Sequence, residues 1–165
     1  MRIPAFATAI ALSAAMAANP APAQELIVWG ASDYWDILVD PGLGNGCLIQ
    51  TEFTDGSVVR IGFDNAQGTG YLMAFNDAWG QIIEGETYEV FFSLDQEEYA
   101  GHGTGAYLGD TPGADIVFDS ADFLFDIAQK QTMVLYNIHG EVMAVDLTGS
   151  YAALEAAMEC QQQQG

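Results

Sequence analysis

The chain has 165 residues and a formal net charge of −20, from 23 acidic residues against three basic ones. This balance excludes nucleic acid as a partner, because no basic surface exists to replace phosphate counterions. Anionic lipid is disfavoured on the same ground.

The chain opens with Arg2, an apolar run over 5–18, and Ala21-Pro22-Ala23, a small-x-small pattern just before Gln24. This is the layout of a secretory signal peptide, and the apolar run is shorter than the ~20 residues a membrane span needs. Residues 1–23 are therefore expected to be removed, leaving a periplasmic or secreted product with no transmembrane segment. The 142 residues left of 165 after removing 23 suit one β-rich domain over 24–160, with a disordered tail over 161–165. Arg2 goes with the signal, so Arg60 and Lys130 face all 23 carboxylates, a formal −21 for the mature acidic protein. The two cysteines of an exported chain are expected to form a disulfide, Cys47 with Cys160, since the compartments beyond a secretion signal are oxidising.

In chain order, 26–29 is a short first strand or an extended lead-in, broken by Ala31-Ser32-Asp33, and 34–39 reads as a strand ended by the Gly/Pro-rich loop 41–46. The runs 47–53 and 57–63 flank Asp55-Gly56, whose positive-φ preference marks a tight hairpin. Strands follow over 71–75 and 87–94; in the second, Tyr88, Val90 and Phe92 form an apolar face. The stretch 95–115, rich in glycine and acid, reads as a variable loop or edge with one weak strand near 106–108. After a strand over 115–118, Ser120 is placed to cap a helix through Gln129, with Phe123, Leu124 and Ile127 on one face. A second hairpin joins 132–136 to 141–147 around Asn137-Ile138-His139-Gly140. Ser150 is then expected to cap a final helix that packs Leu154, Ala157 and Met158 inward and carries Cys160 to its bridge. The sum is a mainly β protein: a compact antiparallel sandwich or barrel of seven to nine strands with two short helices, the C-terminal one tied down by the disulfide.

The order of signals resembles a pattern found in small, largely uncharacterised exported proteins of alphaproteobacteria. It comprises the Trp-led strand at Trp35, the Gly-rich loop into Cys47, the Asp55-Gly56 hairpin, Trp79 and Gly85 midway, and a closing Leu147-x-Gly149-Ser150-x-x-Ala153 followed by Cys160. The resemblance implies export and this fold. It brings no catalytic residue.

No constellation for chemistry is complete. Gly101-His102-Gly103-Thr104-Gly105 has the glycines of a phosphate cradle but lacks the strand before, the helix after and the lysine. Asp110-Thr111-Pro112-Gly113 and Asp146-Leu147-Thr148-Gly149 are fragments of GTPase and aspartic-protease motifs out of context, and no Gly-x-Ser-x-Gly elbow is present. With two separated histidines and both cysteines committed, no metal site or cofactor is expected. The acids Asp95, Glu97, Glu98, Asp110 and Asp115 are oxygen donors of the kind calcium takes, but they form no Asp-x-Asp-x-Asp-Gly loop. His139 reads as polar turn surface.

If a binding face exists, its residues are Trp79, Tyr99, His102 and Tyr107, large amphipathic side chains in loop-like sequence. The leading expectation is an exported non-enzymatic module that binds a protein or envelope component. The alternatives are a carboxylate-dependent hydrolase and a purely structural envelope protein. A buried carboxylate pair in an aromatic cleft would favour the enzyme; an apolar, acid-rimmed patch without one would favour the binder.

Overall fold

β-branched and aromatic residues alternate with polar ones along most of residues 25–164, and a half-buried sheet is the structure that uses such a pattern. The computed structural model describes residues 25–164; the expected signal peptide, 1–23, lies outside the described residues. Ten strands form: β1 (Ile27–Ser32), β2 (Trp35–Asp40), β3 (Gly46–Glu52), β4 (Val58–Asp64), β5 (Thr69–Phe75), β6 (Thr87–Leu94), β7 (Glu97–Leu108), β8 (Thr111–Phe118), β9 (Thr132–Asn137) and β10 (Gly140–Asp146). Two helices accompany them, α1 (Asp122–Ala128) and α2 (Ser150–Gln163). The strands make one sheet in the order β1-β2-β3-β4-β5-β8-β7-β6-β9-β10, and every pairing is antiparallel.

One face of this sheet holds the core. Trp35 and Ile37 of β2, Ile49 of β3, Ile61 of β4, Leu72 of β5, Val90 of β6, Leu135 of β9 and Val145 of β10 belong to a single buried cluster with Ala153, Leu154 and Ala157 of α2. Residues near both ends of the strand order share that cluster, so the sheet curls over its own core. The Trp35 indole N–H donates to the Thr148 carbonyl at 3.1 Å, which ties the start of the sheet to the segment leaving β10.

The expected disulfide is present: Cys47 on β3 is bonded to Cys160 on α2 across 113 residues. The Asp55-Gly56 hairpin joins β3 to β4, with Gly56 at φ 84° and the Asp55 carboxylate accepting the Ser57 N–H at 3.0 Å. The expected cap of α1 is displaced: Ala121 is the N-cap, without a side-chain cap bond, and Ser120, one residue earlier, accepts the Asp122 N–H through its hydroxyl at 3.1 Å.

Three further expectations are corrected. Ser150 does not cap α2: it is the first helical residue, fully buried, and its hydroxyl donates to the Ala128 carbonyl at 3.3 Å, joining the two helices. The turn before α2 is made instead by Gly149 at φ 80° and by the Asp146 carboxylate, which accepts the Thr148 N–H at 2.9 Å. Beyond Cys160 the chain stays helical through Gln163, into the stretch expected as a disordered tail. The anchor is Gln161, whose side-chain oxygen accepts the Cys47 N–H at 2.8 Å.

The third correction concerns 95–115. Instead of a loop, this stretch holds β7, twelve residues long, paired to β6 along one side and to β8 along the other. Its glycines disguise it, yet the fold requires two of them on the inner face. A Cβ at Gly103 would stand 3.1–3.3 Å from Val90, Ala114 and Ile116, and one at Gly105 would stand 2.5 Å from the Ile83 carbonyl oxygen. Dense packing, not looseness, selects glycine there. With this strand counted in full the sheet has ten strands, against the seven to nine expected.

Candidate functional site

The site arises from a mismatch in strand length. β6 pairs with β7 from Thr87 to Leu94, but with β9 only over residues 91–94, because β9 ends at Asn137 and turns through Ile138 and His139. Among the described residues, the β9-facing side of 87–90 has no strand partner. The two strands part there and leave a gap in the sheet.

The connection between β5 and β6 runs beside that gap and contributes Trp79 and Ile82 to its walls. Asn76 starts a 3-10 turn, Asp77–Trp79, by accepting the Ala78 N–H at 2.7 Å. The turn drives Trp79 inward, where its indole N–H donates to the Ala74 carbonyl at 2.9 Å. The rest of the loop is pinned against the sheet. The Ile83 N–H donates to the Tyr88 hydroxyl at 2.8 Å, the Tyr107 hydroxyl donates to the Ile82 carbonyl at 2.9 Å, and Gly85 and Gly105 exchange backbone bonds with this segment through Gly85 N–H to Gly105 O and Gly105 N–H to Glu86 O.

What these bonds frame is a cleft of about 300 Å³ with Trp79, Ile82, Tyr88, Ala114 and Ile138 on its walls and Glu89, Asn137 and His139 among its polar groups. The volume is at the small end of ligand-binding cavities. Ile138, 72% exposed at the tip of the β9–β10 turn, and Ile83, 66% exposed in the adjoining loop, extend the apolar surface outward.

Glu89 is the one carboxylate lining the cleft among the described residues. The carboxyl displaced furthest upward is Asp115, raised to about 6 by burial and then by the negative charge of Asp64. It lies on the outer face of β8, between Met73 of β5 and Thr104 of β7, with one buried carboxyl oxygen unpartnered. Asp64 itself is engaged in the β4–β5 turn, accepting from the Ala66 and Gln67 N–H groups and from the Gln67 side chain at 2.9–3.0 Å. Neither lines the Trp79 cleft.

The four residues expected to form a binding face divide. Trp79 is a wall of the cleft, and Tyr107, 40% exposed, braces it through Ile82. His102 stands on the outer face of β7 directly opposite Glu89. Tyr99 is elsewhere: its ring stacks on Phe92 with centroids 5.1 Å apart and meets Phe123 edge-on at 5.8 Å, beside a separate shallow hollow with Phe91 and Tyr136. Sequence reasoning missed Ile82, Tyr88, Glu89 and Ile138, and took His139 for plain turn surface although it lines the cleft. One signal was available, an isoleucine at the tip of a hairpin turn.

Two of the acids weighed as calcium ligands are engaged by other groups. Asp95 accepts the Gln131 and Thr132 N–H groups and so fixes the β6–β7 turn to the start of β9. Glu97 pairs with Lys130 at 2.8 Å and accepts the Tyr99 hydroxyl at 3.2 Å. The Lys130 ammonium, then the Tyr99 hydroxyl, holds the Glu97 carboxyl below its usual range.

No protein-family model matches the sequence, and no curated protein matches it. Among solved structures, the crystal structure of invasion associated protein B from Bartonella henselae is similar to this chain, with a TM-score of 0.52 at 15% identity. The match covers 84% of this chain and 99% of that one. At that identity the likeness is one of fold.

Proposed function

We propose that this protein is an exported, non-enzymatic module that binds a protein or envelope component through the Trp79 cleft. The observation that carries the reading is the cleft's chemistry: an apolar, aromatic-walled gap with a single carboxylate. A glycosidase-type mechanism needs two carboxyl groups facing one bond, and a general acid needs a raised pKa in that cleft. Asp115, whose carboxyl is raised, stands on the outer face of β8 instead. The fold shared with a bacterial protein titled invasion associated protein B supports an envelope or extracellular setting, as does the disulfide.

The test is affinity capture from envelope extract on immobilised mature protein, at low and at high salt, beside an Ile138→Asp variant. Ile138 is exposed in a turn, so the variant keeps the fold while placing a charge at the cleft mouth. A species retained by the native protein and lost on Ile138→Asp is expected. Nothing specific at either salt, or capture indifferent to Ile138→Asp, overturns the reading.

A further inference from the structure

We propose that the occupant of the Trp79 cleft is an extended segment of a partner protein, with alternating apolar and cationic side chains, that adds as a strand to residues 87–90 of β6. This rests on the reading of the cleft as a binding site and deepens it by naming the partner's chemistry.

The backbone supplies the first argument. β6 is a regular strand over 87–90, held straight by β7 on one side, while the β9 side is without a strand partner among the described residues. Alternate residues of this run turn their N–H and C=O groups toward the open side, as on any sheet edge, and such groups recruit an extended chain. The run of four residues offers roughly 13 Å of ladder, after which β9 closes the edge.

The side chains supply the second. Tyr88 and Val90 point to the inner face and Thr87 and Glu89 to the outer one, as their burial alternates. A strand added alongside has the same two faces. Its inward residues meet Trp79, Ile82 and Ala114, and its outward residues come up beside Glu89.

Charge supplies the third. Neither cation of the mature chain lines the cleft: the Arg60 guanidinium donates to Gln50 at 2.7 Å, and Lys130 pairs with Glu97. Glu89 in the cleft and the exposed Glu84 and Glu86 in the segment leading into β6, on a chain of formal charge −20, select outward-facing lysine or arginine and repel an acidic segment. A second copy of this chain is disfavoured by the same repulsion.

The probe is a peptide of about six residues, enough to cover the open edge, alternating valine and lysine. Amide shifts of Thr87, Tyr88, Glu89 and Val90 are followed on titration of the native protein. The expected result is shifts concentrated there, with affinity lower by about tenfold or more for valine–glutamate, for serine–lysine, and for the valine–lysine peptide N-methylated in the one alternate phase that faces β6, while methylation in the other phase leaves binding near that of the parent. Glu89→Gln is expected to weaken the valine–lysine peptide several-fold and to flatten its salt dependence. Equal binding of the N-methylated peptides overturns strand addition, and equal binding of the serine–lysine peptide reduces the contact to charge adsorption. If the valine–lysine peptide fails while envelope capture is still abolished by Ile138→Asp, the strand proposal falls and the cleft reading stands. Capture indifferent to Ile138→Asp fails the cleft itself.

Discussion

Removing the Cys47–Cys160 cross-link by the double substitution Cys47→Ala/Cys160→Ala should lower the melting temperature by about 16 °C. The bridge closes a loop of 113 residues, and releasing that constraint frees the denatured chain by about 5 kcal/mol in the chain-entropy model. Unfolding entropy of about 2.1 cal/mol/K per residue, taken over the 140 described residues (25 to 164), gives about 0.3 kcal/mol/K, and the ratio sets the shift. Residual structure in the unfolded chain reduces it, and the small cavities left by two fully buried sulfurs add to it. The variant should still fold. Ala153, Leu154 and Ala157 remain buried, and the bond from the residue-47 N–H to Gln161 uses backbone that the substitution leaves in place. Scanning calorimetry of the oxidised native protein, the native protein under reductant and the double variant is the assay, with amide exchange across α2 as a local readout. The two thiol-free or reduced forms should melt together, well below the oxidised one. A drop under about 3 °C would show that the bridge does not restrict the unfolded chain as argued.

Gly105→Ala should cost about 1–3 kcal/mol in urea unfolding and loosen residues 82–86, because the new methyl meets the Ile83 carbonyl; an unchanged midpoint would refute the close approach. Asp115 titrates in the folded state near 6 against an ordinary 3.8, so its contribution is most favourable below about pH 4 and is lost as pH rises through 6. Asp115→Asn should accordingly be more stable than the native protein above pH 6, the gap closing toward pH 4; a gap that is flat with pH contradicts the shift. With a formal charge of −20, stability should rise with ionic strength as self-repulsion is screened, equally in sodium and calcium at matched ionic strength. A calcium-specific rise of several degrees, abolished by Asp110→Asn or Glu97→Gln, would reveal a site among the acids of 95–115.

Signals that act locally were legible in the sequence. Asp55-Gly56 forced its hairpin through backbone preference, and two cysteines had one pairing to make. β7 was hidden because its glycines lower intrinsic strand preference, while its formation depends on β6 and β8, which pair with it from both sides. Ser150 misled for a related reason: its residue type suits a cap, but the register of α2 against α1 buries it beside Ala128. The cleft is the least local feature of all. It exists because β9 pairs with β6 only over 91–94 and leaves 87–90 unpaired on that side, a difference that no composition or periodicity of either strand contains. Trp79, chosen from its residue type and loop position, stands in the cleft wall; Tyr99, chosen on the same grounds, was claimed by the Phe92–Phe123 cluster.

The central claim, that the Trp79 cleft is where a partner docks, is tested most directly by site-specific photocross-linking in the native envelope. A benzophenone side chain is placed at Ile138, at the cleft mouth, and separately at Val117, which is 55% exposed on the outer face of β8 and does not line the cleft. A discrete adduct from position 138, absent from position 117 and suppressed by the valine–lysine peptide, is the predicted result. No adduct from 138, or the same adduct from both positions, would contradict it.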